Sequence, residues 1–190
     1  MPIPNAPLLP QTRWPVVIGV VCIVFGSIGV LSSPMQFLSP IFTKMSFQMY
    51  IQQGTVTEEQ VDDFINKWRG FQLIFGLAFG FVSICMLLGG IFLAKRKKKG
   101  ARVLQIWSVL FILYALTVPF FTSGMMTDQM ALQMTAQSGD LDMEQFQTMM
   151  GIFVKVIMVV SVVFWIALPI FLLIWFKRSK IKNEMQTWDA

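Results

Sequence analysis

Asp62 with Asp63, and Asp140 with Asp142, are acids that could be cast as ligands of a metal ion. Both pairs fall where an amphipathic helix should begin. Acids favour a helix's first turn, so capping and solvation account for them. Fourteen methionines offer thioethers, which are ligands for Cu(I). Copper sites of that kind gather histidines or tight methionine clusters, and the chain has no histidine. Methionine also fills irregular cores and adaptable binding faces. Met45, Met49, Met130 and Met134 recur at helical spacing and form the candidate partner face. Cys22 and Cys85 each stand alone in an apolar run without a CxxC, so they are read as small buried residues.

The absence of histidine also excludes His-ligated haem and zinc, and Ser–His or Cys–His catalysis in their usual forms. No Walker loop, HExxH or GxSxG is found. No catalytic residue, metal or cofactor is therefore assigned, nucleic acid is not an expected partner, and the chain is not read as an enzyme.

The elements that hold these residues explain more than the residues do. The chain has 190 residues, 55% of them hydrophobic and 13% charged, and its mean hydropathy is +0.65. A soluble domain carries roughly 25% charged residues, so this one is about half short of the charge a water-facing surface needs. An all-α integral membrane protein is expected. Spans need about 20 mostly apolar residues, and four stretches qualify: about 14–31, 71–94, 103–121 and 152–176. Trp14, Trp68 and Trp175 lie near span ends, where interfacial tryptophans belong.

Direction follows from the basic residues. Lys95, Arg96, Lys97, Lys98 and Lys99 crowd the loop between the second and third spans, and Arg13, Arg102, Lys177, Arg178, Lys180 and Lys182 fall on the same side. Cytoplasmic loops carry such an excess. The expected place is the cell (inner or plasma) membrane, with both termini cytoplasmic and two loops outside. The same cations would suit an anionic lipid or an acidic partner, although topology accounts for them.

The chain also repeats. At an offset of 85 residues, Lys44–Gln60 matches Gln129–Gln145 at seven of seventeen positions, among them Met45/Met130, Gln48/Gln133, Gly54/Gly139 and Glu59/Glu144, and Pro34 pairs with Pro119. We read two tandem two-span units, 14–99 and 100–182, between a proline-rich tail at 1–13 and a tail at 183–190. Two spans per unit insert both units the same way up, related by an axis along the membrane normal. Val30–Ser32 resembles a signal-peptide cleavage site, but the repeat equates the first span with the third and argues for an uncleaved anchor.

The outer loops are too long for turns and are patterned as amphipathic helical hairpins: helices at about 35–52 and 57–70 in one unit, 125–137 and 142–151 in the other. Gly54 and Gly139 are helix stops, and Thr57/Gln60 and Asp142/Gln145 are spaced as capping boxes. The later helix of each hairpin should run straight into its span. These caps are expected to stand above the membrane, the alternative being a first helix laid flat on the outer leaflet.

Inside the spans Lys155 is the only charged residue, near the outer end of the fourth, where it can snorkel to the interface. Gly76 and Gly80 form a GxxxG, and Gly26 and Gly29 lie on the first span, so helix packing is their expected use. A bland membrane interior and Met-rich outer faces favour a non-catalytic accessory, scaffold or assembly component of a membrane complex. Its expected partners are the lipid bilayer and a protein or a second copy. The alternative is a small channel or transporter acting as an oligomer, with Gln105, Ser108 and Thr117 lining its path. An enzyme acting on lipid or quinone is the remaining class.

Overall fold

The computed structural model describes residues 12–136 and 143–188. It consists of four long helices and a short one: α1 (Trp14–Gln52), α2 (Glu58–Ala94), α3 (Lys98–Ala136), α4 (Met143–Lys177) and α5 (Ser179–Gln186). No strand occurs among the described residues. α1 to α4 are each long and apolar enough to cross a membrane. Each packs antiparallel on the next in chain order, α1 against α2 most closely. One end of the bundle collects Arg13, Lys95–Lys99 and Lys177, and is called the basic end below. The other carries Glu58, Glu59, Asp62, Asp63 and Asp128, and is the acidic end. Gly139, Asp140 and Asp142, with the second capping box and helix stop, lie outside the described residues.

α2 starts at its capping box: Thr57 Oγ1 accepts from the Gln60 amide at 3.3 Å, and Gln60 Oε1 accepts from the Thr57 amide at 3.0 Å. Two orphan donors of the first turn are thereby satisfied. Both α1 and α2 end in Schellman turns. At the end of α1 the left-handed position is Gly54, and the Thr55 amide donates to Tyr50 at 3.2 Å. At the end of α2 the same position is Arg96, with φ 55°, and the Lys97 amide donates to Phe92 at 2.9 Å. A side chain there costs about 1 kcal/mol against glycine. Arg96 offsets it by donating from Nη2 to the Thr12 carbonyl at 2.9 Å, which ties the loop to the start of α1.

In the structure, span and outer helix form one unbroken element in α1 and again in α3. Pro34 and Pro40 lie inside α1 and Pro119 inside α3. Proline supplies no N–H to the carbonyl four residues back, so Pro34 leaves the Val30 carbonyl without its usual donor. Ser33 Oγ donates to that carbonyl at 3.0 Å, and the helix continues. Ser33→Ala is expected to cost about 1 kcal/mol by stranding this carbonyl. In a Pro34→Ala background it should cost almost nothing. Equal costs in both backgrounds, measured by denaturant titration in detergent, would sink this account of the helix.

The contact between α1 and α2 is a seam of small residues. A methyl group on Gly26 would lie 2.7 Å from the Leu87 backbone nitrogen, and one on Gly90 would lie 2.8 Å from both Cys22 Cβ and the Gly19 carbonyl. Gly29 meets Ser83, Gly80 meets Ser33 and Gly76 meets Gln36. The α1 positions are 19, 22, 26, 29, 33 and 36, and the α2 positions 76, 80, 83, 87, 90 and 94. Both rows alternate steps of three and four, the spacing of a left-handed coiled coil. Packing without side chains in the way brings the backbones together and replaces the hydrophobic drive that lipid does not supply.

α2 and α3 meet differently, through rings. Phe71, Phe75 and Phe79, one helical turn apart, pack on Phe121 and Tyr114. At the basic end a buried cluster joins Cys22, Leu93, Leu104, Trp107, Leu172 and Phe176. Residues 179–186, read from sequence as a basic stretch running into a tail, instead form α5, which folds back so that Ile181 and, beyond it, Trp188 are buried under the bundle. Their spacing of seven, with Met185 between, was the legible sign of an apolar helix face.

Candidate functional site

The acidic end is where charges, methionines and exposed apolar surface meet. Phe47 of α1 is buried with Val56 and Val61, and Leu132 of α3 packs against them. Lys44 Nζ sits beside this core, 2.7 Å from Glu58 Oε1 and 3.2 Å from Asp62 Oδ1. Hydrogen bonds to Glu58 and then Asp62 raise the Lys44 pKa above its usual value. Glu58 and Asp62, four residues apart on one face of α2, therefore serve one lysine. Asp63 is exposed on another face, so the Asp62–Asp63 pair does not converge as a site.

A second pairing joins α2 to α3. Lys67 Nζ lies 2.7 Å from Asp128 Oδ2, and Trp68 Nε1 donates to the same oxygen at 2.9 Å. The Lys67 hydrogen bond is the main reason the Asp128 pKa falls below its ordinary 3.8, with Trp68 adding to it against the opposing effect of burial. A carboxylate with a depressed folded pKa contributes stability above its unfolded pKa, and loses it as pH falls through the folded value. Acid loss from this pair is therefore expected below pH 3.8, with Asp128→Asn removing that step from the stability–pH curve. The pair is partly exposed, so its contribution stays under about 1 kcal/mol. An unchanged acid limb in Asp128→Asn would show that the pair contributes nothing.

Charges from α1, α2 and α3 gather at the level of these ion pairs. At that level α2 exposes Glu58, Glu59, Gln60, Asp63, Asn66, Lys67 and Arg69, followed by Gly70, with no exposed apolar side chain among them. On α3, the exposed positions from 127 to 134 are Thr127, Ala131 and Gln133. α1 differs: Phe42, Met45 and Met49 are 53%, 63% and 61% exposed. Of the four methionines singled out from sequence, Met45 and Met49 thus face outward, whereas Met130 and Met134 are half-buried. Of these four, only the two on α1 are exposed.

Shallow grooves flank the α1 face. One, of about 440 Å³, runs along Ile41, Lys44, Met45, Gln48 and Ile51. The other, of about 510 Å³, is bordered by Met35, Gln36, Ser39, Phe42 and Gln129 of α3. A separate apolar cavity of about 350 Å³ lies between α3 and α4, among Tyr114, Pro119, Thr122, Ile157, Ser161 and Trp165.

The remaining residues of interest do not gather. Ser108 is fully buried and donates to the Leu104 carbonyl at 2.8 Å. Thr117 is on the exposed side of α3 and donates to Leu113 at 2.7 Å. Nine residues separate them, which at 100° per residue places them on opposite faces, so with half-buried Gln105 they do not line a shared path. Lys155 is exposed. Gly26, Gly29, Gly76 and Gly80 all lie in the α1–α2 seam, and Lys95 to Lys99 form the α2–α3 turn and the start of α3.

Sequence inspection missed the tie between α5 and the start of α1. Glu184 accepts from Trp14 Nε1 at 2.9 Å and also from Thr12 Oγ1. No protein-family model matches the chain, and neither a curated protein nor a solved structure matches it.

Proposed function

We propose that this chain is a non-catalytic multi-pass membrane protein that serves as an accessory, scaffold or assembly component of a membrane complex. In this reading it sits in the cell membrane with its basic end cytoplasmic and its acidic end outside. Two tandem two-span units build it, each carrying a helical hairpin on the outer side. The observation that carries the reading is the apolar α1 face at the level of the ion pairs. Large apolar side chains kept in water cost free energy that a partner recovers. The spanning interior agrees with this role, since glycine and aromatic packing occupies it and the hydroxyls of Ser108 and Thr117 bond to their own helix.

The test is a tagged pull-down from native membranes in mild detergent, with the mass of the eluate measured by light scattering. A foreign protein in fixed stoichiometry is expected. Solute flux through the purified chain in liposomes, altered by substitutions at Gln105, Ser108 and Thr117, would replace the reading with a channel.

A further inference from the structure

We propose that the outward face of α1 is the seam of a parallel homodimer, in which a second copy of this chain packs α1 against α1. This deepens the proposed function, resting on its view of the face as a partner surface, by naming the partner. Exposed apolar residues run along α1 at ten successive positions: 17, 21, 24, 28, 31, 35, 38, 42, 45 and 49. The steps alternate four and three from Val17 to Met49, the a/d rhythm of two helices that cross at about 20°. This row lies opposite the face that carries Phe47 into the core, so a second helix can use it without disturbing α2.

Contact with lipid explains the lower part of the row, but not the upper. The exposed row of α3 provides the comparison: Ile106, Val109, Leu113, Leu116 and Phe120 follow the same rhythm. Its next positions are Ser123 and Thr127, so it turns polar as it reaches the level of Trp68 and the Lys67–Asp128 pair. The α1 row instead continues with Phe42, Met45 and Met49 beside the Lys44 ion pairs.

Three features select a second copy as the occupant. The positions flanking the upper row are Ser39, Ile41, Ser46 and Gln48, which carry no charge to repel an identical helix or to choose a charged one. Lys44 is already held within the chain by Glu58 and Asp62. The row is a ridge between the two grooves, a shape that complements itself under a twofold axis. Two copies inserted the same way up provide that axis along the membrane normal. Met35, Leu38, Ile41, Phe42, Met45 and Met49 are 45–64% exposed; at roughly 100 Å² each they offer about 600 Å², and the lower row brings the seam to the ~800 Å² per partner of a standard interface.

The test is disulfide cross-linking in native membranes, with Leu38→Cys, Phe42→Cys, Met45→Cys and Met49→Cys introduced singly. Asn66→Cys, on the exposed polar face of α2, is the control, and the wild-type chain, whose Cys22 and Cys85 lie deep in the spans, is the blank. Homodimer bands at least about tenfold stronger at the α1 positions than at Asn66 are expected. Phe42→Glu with Met45→Glu should halve the mass of the purified protein while leaving its helical circular dichroism unchanged. Equal cross-linking at all sites, or a monomeric wild-type mass, overturns the dimer. A band joining the Phe42→Cys or Met45→Cys chain to a foreign protein also overturns it, yet leaves the accessory reading standing. Homodimer bands with no foreign protein in the pull-down do the reverse.

Discussion

Gly26→Val and Gly90→Val are each expected to lower the unfolding free energy by about 3 kcal/mol or more, the upper range for overpacking a close contact. At both sites the new atoms meet material that cannot yield. Next to Gly26 they meet the Leu87 backbone at 2.7 Å, and next to Gly90 the Gly19 carbonyl at 2.8 Å. Flexible side chains can rotate away from such an intruder; a hydrogen-bonded helix backbone cannot. The helices must therefore separate, and every contact along the seam weakens together, because dispersion falls steeply with distance. Gly70→Ala provides the control. Nothing lies within 4 Å of a methyl group there, and alanine favours a helix interior over glycine by roughly 1 kcal/mol. That substitution should be neutral or stabilising. Denaturant titrations in mixed micelles measure all three, and a Gly26→Val protein within about 0.5 kcal/mol of wild type would show that α1 and α2 do not pack as described.

Trp14→Ala has the second large effect, at the opposite end of the molecule. The indole lies 6.2 Å from Trp175, 6.3 Å from Phe176 and 5.5 Å from Trp188, ring centre to ring centre. It joins the first helix to the last two, beside the buried contact of Cys22 with Leu172 and Phe176. Removing a tryptophan from such a cluster costs about 3 kcal/mol. The loss should also release α5, which Glu184 fastens to Trp14 Nε1 at 2.9 Å. Trypsin is the readout, because Arg178, Lys180 and Lys182 lie at the junction and along α5. Cleavage there should accelerate strongly in Trp14→Ala. In Trp14→Phe, which keeps a ring but removes one of the two donors to Glu184, it should accelerate less. Identical digestion of all three proteins would mean that α5 is not held by this contact.

The two effects differ in kind, and the difference bears on function. The seam sets how the first hairpin is built and leaves the outward face of α1 intact, so seam variants should lose stability before they lose partner binding. Substitutions at Phe42 and Met45 should do the opposite. That separation is the practical means of telling a folding defect from an interaction defect in this protein.

Four apolar stretches, a concentration of cations at one end, the helix start at Thr57 and the helix stop at Gly54 are all legible in the chain alone. Each is a local property: hydropathy over about 20 residues, a side chain bonding its own backbone three residues on, or a left-handed turn. Which helices the glycines join is settled only by packing, because a GxxxG is equally ready for a neighbour in the chain or in another copy. The fold also settles that Pro34 and Pro40 do not end α1. A proline's effect depends on whether another donor reaches the freed carbonyl, and for Pro34 that donor is Ser33. The methionine stripes of α1 and α3 look alike in sequence, but packing turns Met130 and Met134 partly inward and leaves Met45 and Met49 outside. A helical period marks which residues share a face; whether that face is covered depends on a helix many residues away.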